Sequence, residues 1–391
     1  MRNNRVFIVL FLTMLVAMLG AGVIAPVMPL YGETLGASGF GLGMVYSSFS
    51  ISRAIFMPMT GKISDRKGRK QFIVTGLVIY TLASLGYIWS GTTLELIWIR
   101  FLHGVGSAMI VPIAAAAIGD VSPRGREGSV MGTFNVALFL GFGIGPLLGG
   151  LVMVRLGMAP VFYIMGGLSG LSLLLILIFL PEKKRNARSK DRADSSSIKR
   201  LWRIDRFRGL LVFRLSNAMV RGSTTAFLPV FAARLEVDAA RIGFLVSLNI
   251  LLAAVLQHFF GRLADRMNRA MLMVTGNLMT ALPLLLTPVA GTYGHLVGLA
   301  VVMGVGTGLA FPAASAVATE VGRHHGMGNV MGFFNQSMSL GMIIGPLAAG
   351  WIMDIWGVNV VFIFAGAAGI FGSVLTLRWM GRKPEGKDAD V

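Results

Sequence analysis

Gly61-Lys62-Ile63-Ser64-Asp65-Arg66-Lys67-Gly68-Arg69-Lys70 returns 200 residues later as Gly261-Arg262-Leu263-Ala264-Asp265-Arg266-Met267-Asn268-Arg269-Ala270. Both copies read Gly-x-x-x-Asp-Arg-x-x-Arg, and each is a charged turn between two apolar runs. The same offset pairs Pro29 with Pro229, Gly43 with Gly243, Gly104 and Gly106 with Gly304 and Gly306, and Pro112 with Pro312. It also pairs Asp120 with Glu320, Gly132 with Gly332, Asn135 with Asn335, and Gly145-Pro146 with Gly345-Pro346. Turn motif, glycines and prolines recurring at one spacing describe a chain made of two copies of one unit.

The solvent of that unit follows from composition. Of 391 residues, 55% are hydrophobic and 13% charged, with a mean hydropathy of +0.74. A soluble domain carries about 25% charged residues, so the bilayer is the medium here. Crossing about 30 Å of hydrocarbon takes roughly 20 apolar residues. Twelve such runs fall near 6–30, 39–60, 72–90, 95–118, 128–153, 159–181, 208–232, 240–261, 270–290, 295–319, 327–352 and 359–381. The short alternating segments of a membrane β-barrel are absent from the sequence. The expected fold is therefore an all-α membrane protein of twelve transmembrane helices in two six-helix bundles, residues 1–181 and 208–391. A cytoplasmic linker at 182–207 joins them, with Ser195-Ser196-Ser197 at its centre and an amphipathic stretch at 198–208 lying on the membrane.

The net charge of +18 reports topology. With both termini inside, 28 of the 35 Lys and Arg fall on cytoplasmic segments, Arg155, Arg234 and Arg241 fall outside, and Arg53, Arg100, Arg214 and Arg221 fall within spans. That is the positive-inside asymmetry, so the basic balance implies contact with membrane lipids and no nucleic-acid partner. With no Cys, disulfides and thiolate metal sites are excluded. Residues 1–30 open with Arg2 and Arg5 like a signal peptide, but their apolar run is too long and lacks a small-residue exit, which predicts an uncleaved first span.

Polar residues inside the spans are the candidate machinery. Pro26 and Pro29 loosen the outer turn of span 1, as a bending element or a plain helix terminus. Tyr46, Ser50, Arg53 and Met57 share one face of span 2, and a charge there either lines a wet cavity or snorkels to the interface. Span 4 places Arg100, His103 and Ser107 together; His103 is either a proton carrier or a structural imidazole. Arg214, Asn217 and Arg221 share a face of span 7, while Asn249 and Asn335 add polar groups in spans 8 and 11. In the turn motif, Gly61 permits close helix approach, Asp65 suits the amino end of a neighbouring helix, and Arg69 can pair with Asp120. Asp265, Arg269 and Glu320 repeat that relation. Glycines 141, 145 and 149 with Pro146, repeated by Gly345-Pro346, predict a hinge and seal between helices. Gly141-Phe142-Gly143-Ile144-Gly145 lies inside a span and is no dinucleotide loop, and His324-His325 lack companion acids for a metal. No cofactor is implied.

These residues resemble the major facilitator superfamily over nearly the whole chain. The stretch at 61–70, with Arg66 beside Asp65, looks like that superfamily's loop 2–3 signature. The glycine and proline pattern from Gly132 to Gly150 looks like the antiporter signature of its drug exporters. Leu96, Arg100, Gly104 and Gly106 are similar to the span 4 signature, with His103 where Gln is usual. Leu19-Gly20 through Pro29 looks like the span 1 signature of the twelve-span drug:proton antiporters. The resemblance implies two halves rocking around a central cavity, Asp65 docked on span 11 near Gly328 in an outward-open state, and Arg69 paired with Asp120. It further implies a multi-pass monomer in the inner (plasma) membrane with a small-molecule substrate, protons as co-substrate and no enzymatic chemistry. One departure stands out: all 17 Asp and Glu lie in loops or near span ends, leaving Glu33, Asp120 and His103 as candidates for proton coupling. With four arginines within the spans, the cavity is expected to be positive and to favour anionic or neutral amphipathic substrates. The alternatives are an organic anion or metabolite facilitator without proton antiport and, from another class, a membrane receptor or lipid-modifying enzyme.

Overall fold

The computed structural model describes residues 2–123, 127–181 and 201–380. Among them the regular structure is helical. In chain order the elements are α1 (Arg2–Val23), α2 (Val27–Thr34), α3 (Gly39–Lys67), α4 (Arg69–Trp89), α5 (Thr93–Val121), α6 (Glu127–Leu156) and α7 (Met158–Phe179). The second half comprises α8 (Asp205–Arg234), α9 (Ala239–Ala264), α10 (Arg269–Leu286), α11 (Tyr293–His325), α12 (Met327–Trp356) and α13 (Val358–Met380), with a short 3-10 turn at Thr287–Val289. Helices α1 and α2 together form one span, broken at residues 24–26 where Pro26 supplies no N–H donor. Twelve spans result.

Ten spans are apolar enough to cross a membrane by composition alone, and α3 and α8 fall short. The shortfall has a cause: these two helices hold Arg53, and Arg214 with Arg221, in their interiors. Of these, Arg214 is buried and Arg53 half-buried, while Arg221 is exposed.

Helix starts are set by short polar side chains that accept otherwise orphaned backbone donors. Ser38 takes the Gly41 N–H of α3 at 3.1 Å, Asp238 takes that of Arg241 in α9 at 2.9 Å, and Asn268 takes Ala270 of α10 at 3.0 Å. The two copies of the opening motif differ in this respect. Residues 61–67 are not a turn: α3 continues through them to Lys67, and Gly68 alone, at φ 102°, reverses the chain into α4. In the second copy α9 ends at Ala264 and Asn268 caps α10. Helix α8 begins at Asp205, inside the stretch read as linker from sequence, because Leu201 is buried and Ile204 starts the first turn. The rest of that linker, residues 182–200 with the three serines, lies outside the described residues.

In the first half α6 and α7 pack on α1, α3 packs on α5, and α4 bridges α5 and α7. The second half repeats this: α12 and α13 pack on α8, α9 packs on α11, and α10 bridges α11 and α13. Two extensive contacts cross between halves, α3 with α12 and α6 with α9, and α8 adds smaller ones with α2 and α3. The apolar core is correspondingly divided into three. One cluster is shared by both halves, running from Val23, Met28 and Phe162 to Phe227, Phe231 and Phe362. The other two are separate: Leu10, Ile73, Ile113 and Phe134 in the first half, and Phe207, Phe213, Ala313 and Val330 in the second. The halves are thus fused toward the end bearing the 34–39 and 234–239 turns and independent toward the end bearing the duplicated motif. Leu82, Val255 and Phe371 are among large apolar side chains left exposed on the outer faces, as lipid contact demands. Trp89, Trp98, Trp351 and Trp356 stand exposed at the fused end, where amphipathic rings suit the membrane–water boundary.

Candidate functional site

At the fused end the halves meet backbone to backbone. A Cβ on Gly43 would strike the Pro346 carbonyl, and one on Gly243 would strike that of Pro146. Gly39 and Gly350 face each other in the same way, as do Gly150 and Ala239. Ser47 donates from its hydroxyl to the Ile343 carbonyl at 2.8 Å, and the Leu147 N–H donates to the Ser247 hydroxyl at 2.9 Å. Within each half, Gly145 lies against Gly22 and Leu19 of α1, Gly149 meets Val23, and Gly345 meets Met219 of α8. Glycines on one face of α6 and α12 therefore join their own half, and the adjacent proline-bearing face closes on the other half. Pro29, on α2, is buried in the same closed region.

A carboxylate unremarked in the sequence completes this seal. Asp354 near the end of α12 accepts the Gly39 and Phe40 N–H groups of α3 at 2.6 and 2.8 Å, so an anion of the second half caps a helix of the first. Its repeat position holds Val154, so the α6–α9 contact has no such cap. Glu33 of α2 is half-buried nearby, within electrostatic range of Arg234. A cavity of about 400 Å³ opens at this end between Phe231, Arg234, Val289 and Trp356, remote from the in-span arginines.

At the opposite end the halves stand apart. Gly61, Gly132, Gly261, Gly328 and Gly332 face open space. The docking of Asp65 on α12 near Gly328 is accordingly not made in this conformation. Asp65 instead pairs with Arg69 at 2.9 Å, one turn on, while Arg69 Nε reaches Asp120 at 2.6 Å. In the second half Arg269 reaches Glu320 at 2.8 Å, and Arg206 shares that carboxylate at 2.9 Å. Arg66 and Asp265 are exposed.

Between the seal and the opening lie the in-span arginines. Arg53 on α3 is half-buried and Arg221 on α8 is exposed, and neither guanidinium has a hydrogen bond or ion pair among the described residues. Along their helices both lie about 20 Å from the sealed end, at 1.5 Å per residue. Arg214, two turns from Arg221, is 8% exposed and lies across the Phe334 and Phe311 rings at 4.6 and 5.3 Å. Its Nη2 touches Met338 Sδ at 2.8 Å, and its buried Nε has no partner. Arg214 and Arg221 stand seven residues apart on α8, about 10 Å along its axis, a range at which like charges repel when few waters screen them. Asn335 of α12 is half-buried, and no bond to its side-chain amide is seen among the described residues.

Other residues read as path-lining are placed inside the bundles. Arg100 is 8% exposed; it lies against Tyr46 and Phe49 at 5.4 and 4.9 Å and donates to the Val45 carbonyl at 3.4 Å. The Tyr46 hydroxyl bonds the Ala25 carbonyl at 3.3 Å, in the break that Pro26 makes in span 1. His103 is enclosed: Nδ1 meets the Tyr87 hydroxyl at 2.8 Å, the Tyr80 ring stands edge-on at 4.2 Å, and Nε2 is unpartnered. The Asn217 amide donates to Asn277 at 3.1 Å, and Asn277 in turn donates to Gly369 and Ser373, tying α8, α10 and α13. Asn249 donates to the Ala300 carbonyl at 3.3 Å, tying α9 to α11. A polar group in an apolar bundle bonds to a neighbouring helix when one lies within reach, and each of these five finds a partner on another segment. No cluster of potential metal ligands occurs among the described residues.

Duplicated halves, a shared core at one end and a gap with unneutralised cations at the other are features of an alternating-access carrier, and comparison with known proteins agrees. The sequence profile of the Major Facilitator Superfamily matches residues 10–235 and 210–390. An uncharacterized MFS-type transporter of Methanocaldococcus jannaschii is 30% identical over 379 residues, covering 96% of this chain and 97% of that one. Multidrug resistance protein 2 of Bacillus subtilis is 27% identical over 391 residues, covering 97% and 96%. Among solved structures, a bacterial homolog of the human lysosomal transporter Spinster, inward-facing and occupied, superposes with a TM-score of 0.83 at 14% identity over 97% of each chain. The chain is thus a multi-pass membrane transporter belonging to the major facilitator superfamily.

Proposed function

We propose that the protein is a secondary exporter of small amphipathic molecules, neutral or anionic, working by alternating access and driven by proton antiport across the inner (plasma) membrane. The observation that carries this reading is the division of the core, shared at one end and split at the other. A gap that ends blindly at mid-span is half of a transport cycle, and rocking the halves about the arginine level yields the other half. Relatives of similar length are multidrug resistance proteins, which favours export of drug-like compounds. The weight of Lys and Arg around the duplicated motif supports a cytoplasmic open end, with both termini on that side.

In this reading Asp65, Arg66, Arg69 and Asp120, with Asp265, Arg269 and Glu320, govern closure of the open end, and the glycine–proline faces govern the other. Glu33, His103 and Asp120 remain the candidates for proton coupling. Reconstituted vesicles preloaded with an amphipathic dye test the scheme: a pH gradient should accelerate dye movement, and collapsing it should abolish that acceleration. Equal rates with and without the gradient would favour the second reading, a facilitator of organic anions, which the absence of a mid-span carboxylate supports. Chemical conversion of the dye by the purified protein would overturn both.

A further inference from the structure

We propose that Arg53, Arg214 and Arg221 form one anion-binding subsite that spans both halves and takes the compact anionic head of an amphipathic substrate, a carboxylate or phosphate with an apolar tail. This deepens the transport reading by fixing the charge and placement of the ligand, and it rests on that reading for the ligand's movement.

Three observations converge. The first is the absence of countercharge. Every acidic residue among those described lies at a helix end or turn, from Glu33, Asp65, Glu95 and Asp120 to Glu320 and Asp354. Arg100 finds a carbonyl and two rings, whereas Arg53 and Arg221 have no bonded partner among the described residues. A guanidinium carries five donors and stays charged, and at mid-membrane it is retained where water or a ligand can meet it.

The second is the buried Arg214 Nε, a donor with no acceptor on a side chain only 8% exposed. Phe334, Phe311 and Met338 hold the group in place. They also supply an apolar wall, so a head that meets the guanidinium places its tail against rings and a thioether.

The third is division between the halves. Arg53 comes from the first, Arg214 and Arg221 from the second; α3 contacts α8, and along their helices Arg53 and Arg221 lie at a similar distance from the sealed end. Three cations approaching across a gap repel one another, which holds the empty gap open; one anion among them converts the repulsion into attraction for both halves at once. The ligand is then what allows the open end to close. A neutral molecule leaves the repulsion in place and a lipophilic cation adds to it, so the inference narrows the neutral or anionic substrates of the transport reading to the anionic ones.

Equilibrium binding by the purified, full-length protein tests the subsite independently of transport, coupling or direction. The probes are 1-naphthyl phosphate, 1-naphthoate, 1-naphthamide and 1-naphthylmethylammonium, which share one ring system and differ in charge. The two anions should bind with affinity that falls as salt rises, the phosphate more tightly, and the amide and ammonium should bind at least about tenfold more weakly. Arg53→Gln and Arg221→Gln should each weaken the anions about tenfold without changing the amide, while Arg53→Lys recovers part of the loss. Closure is read separately with spin labels on cysteines at Gly61 and Gly328, feasible because the chain has no other cysteine. Naphthoate should shorten the distance between them, and Arg221→Gln should shorten it without any anion. Equal binding of all four probes, binding of none, or Gln variants that bind anions as the parent does would overturn the proposal. Dye export that persists after such a result would leave the transport reading standing.

Discussion

Arg100 and Arg214 are not repeats of each other, yet each lays its guanidinium across two rings, Tyr46 with Phe49 in one half and Phe311 with Phe334 in the other. Each contact contributes about 0.5 to 2 kcal/mol, depending on desolvation, and fixes the charge in place. Phe334→Leu is therefore expected to loosen Arg214 and weaken 1-naphthoate binding several-fold, with a modest fall in melting temperature from the buried ring that is lost. Asn277, which donates to Gly369 and Ser373 and accepts from Asn217, has the opposite profile. Asn277→Ala should lower stability by about 1 to 2 kcal/mol, visible as a reduced melting temperature in detergent, with binding retained. At this scale the sequence was legible where spacing constrains partners. Asp65 with Arg69 is one helical turn, and the matching acids at 120 and 320 follow from the duplication. It was illegible for Asp354, an acid whose partner is a backbone amide 315 residues away. Asn217 and Asn249 shared helix faces with cavity residues, but only the neighbouring helix decides whether an amide is consumed in a bridge.

Among the elements, α6 and α12 have the strictest requirements, because a glycine on one face meets its own half and a proline carbonyl on the next meets the other. Replacing Gly43 by Val would drive a side chain into the Pro346 carbonyl and hold the sealed end apart, whereas Gly61→Ala meets open space. A cysteine at Ala349, buried in the seal, reports the difference: thiol reagents should label it faster in the Gly43→Val protein and at the parental rate in Gly61→Ala. Asp354→Asn should act in the same sense but more mildly. Loss of one charge from a helix amino end costs about 0.3 to 1 kcal/mol, so labelling should rise roughly two- to fivefold. The glycine and proline spacings made the existence of these contacts readable. They did not say which end would be shut, since the motif end is equally supplied with glycines. Nor did they show that α3 carries straight through the charged motif, because Gly61 and the run of Lys and Arg imitate a turn that Gly68 alone provides.

For the whole molecule, the offset of 200 residues was enough to give two bundles of six, since the main packing relations in one half recur in the other. The conformation was not legible. Identical side chains build the open and closed forms, and what distinguishes them is which end of the core is fused. Alternation then makes a prediction at this scale: Asp65→Asn, which leaves Arg69 bound to Asp120, should insert and fold normally yet move substrate far more slowly in vesicles. Transport at the parental rate would argue against a role for that carboxylate in shutting the open end. The sealed end also has a handedness. Two seams join the halves there, but only the one between α3 and α12 is pinned by an anion, while the other is held by glycine contacts and a serine. Parting should therefore start along α6 and α9 and swing on the pinned side, like a book opened from its fore-edge, so that the first water admitted from that face enters beside Leu147 and Ser247.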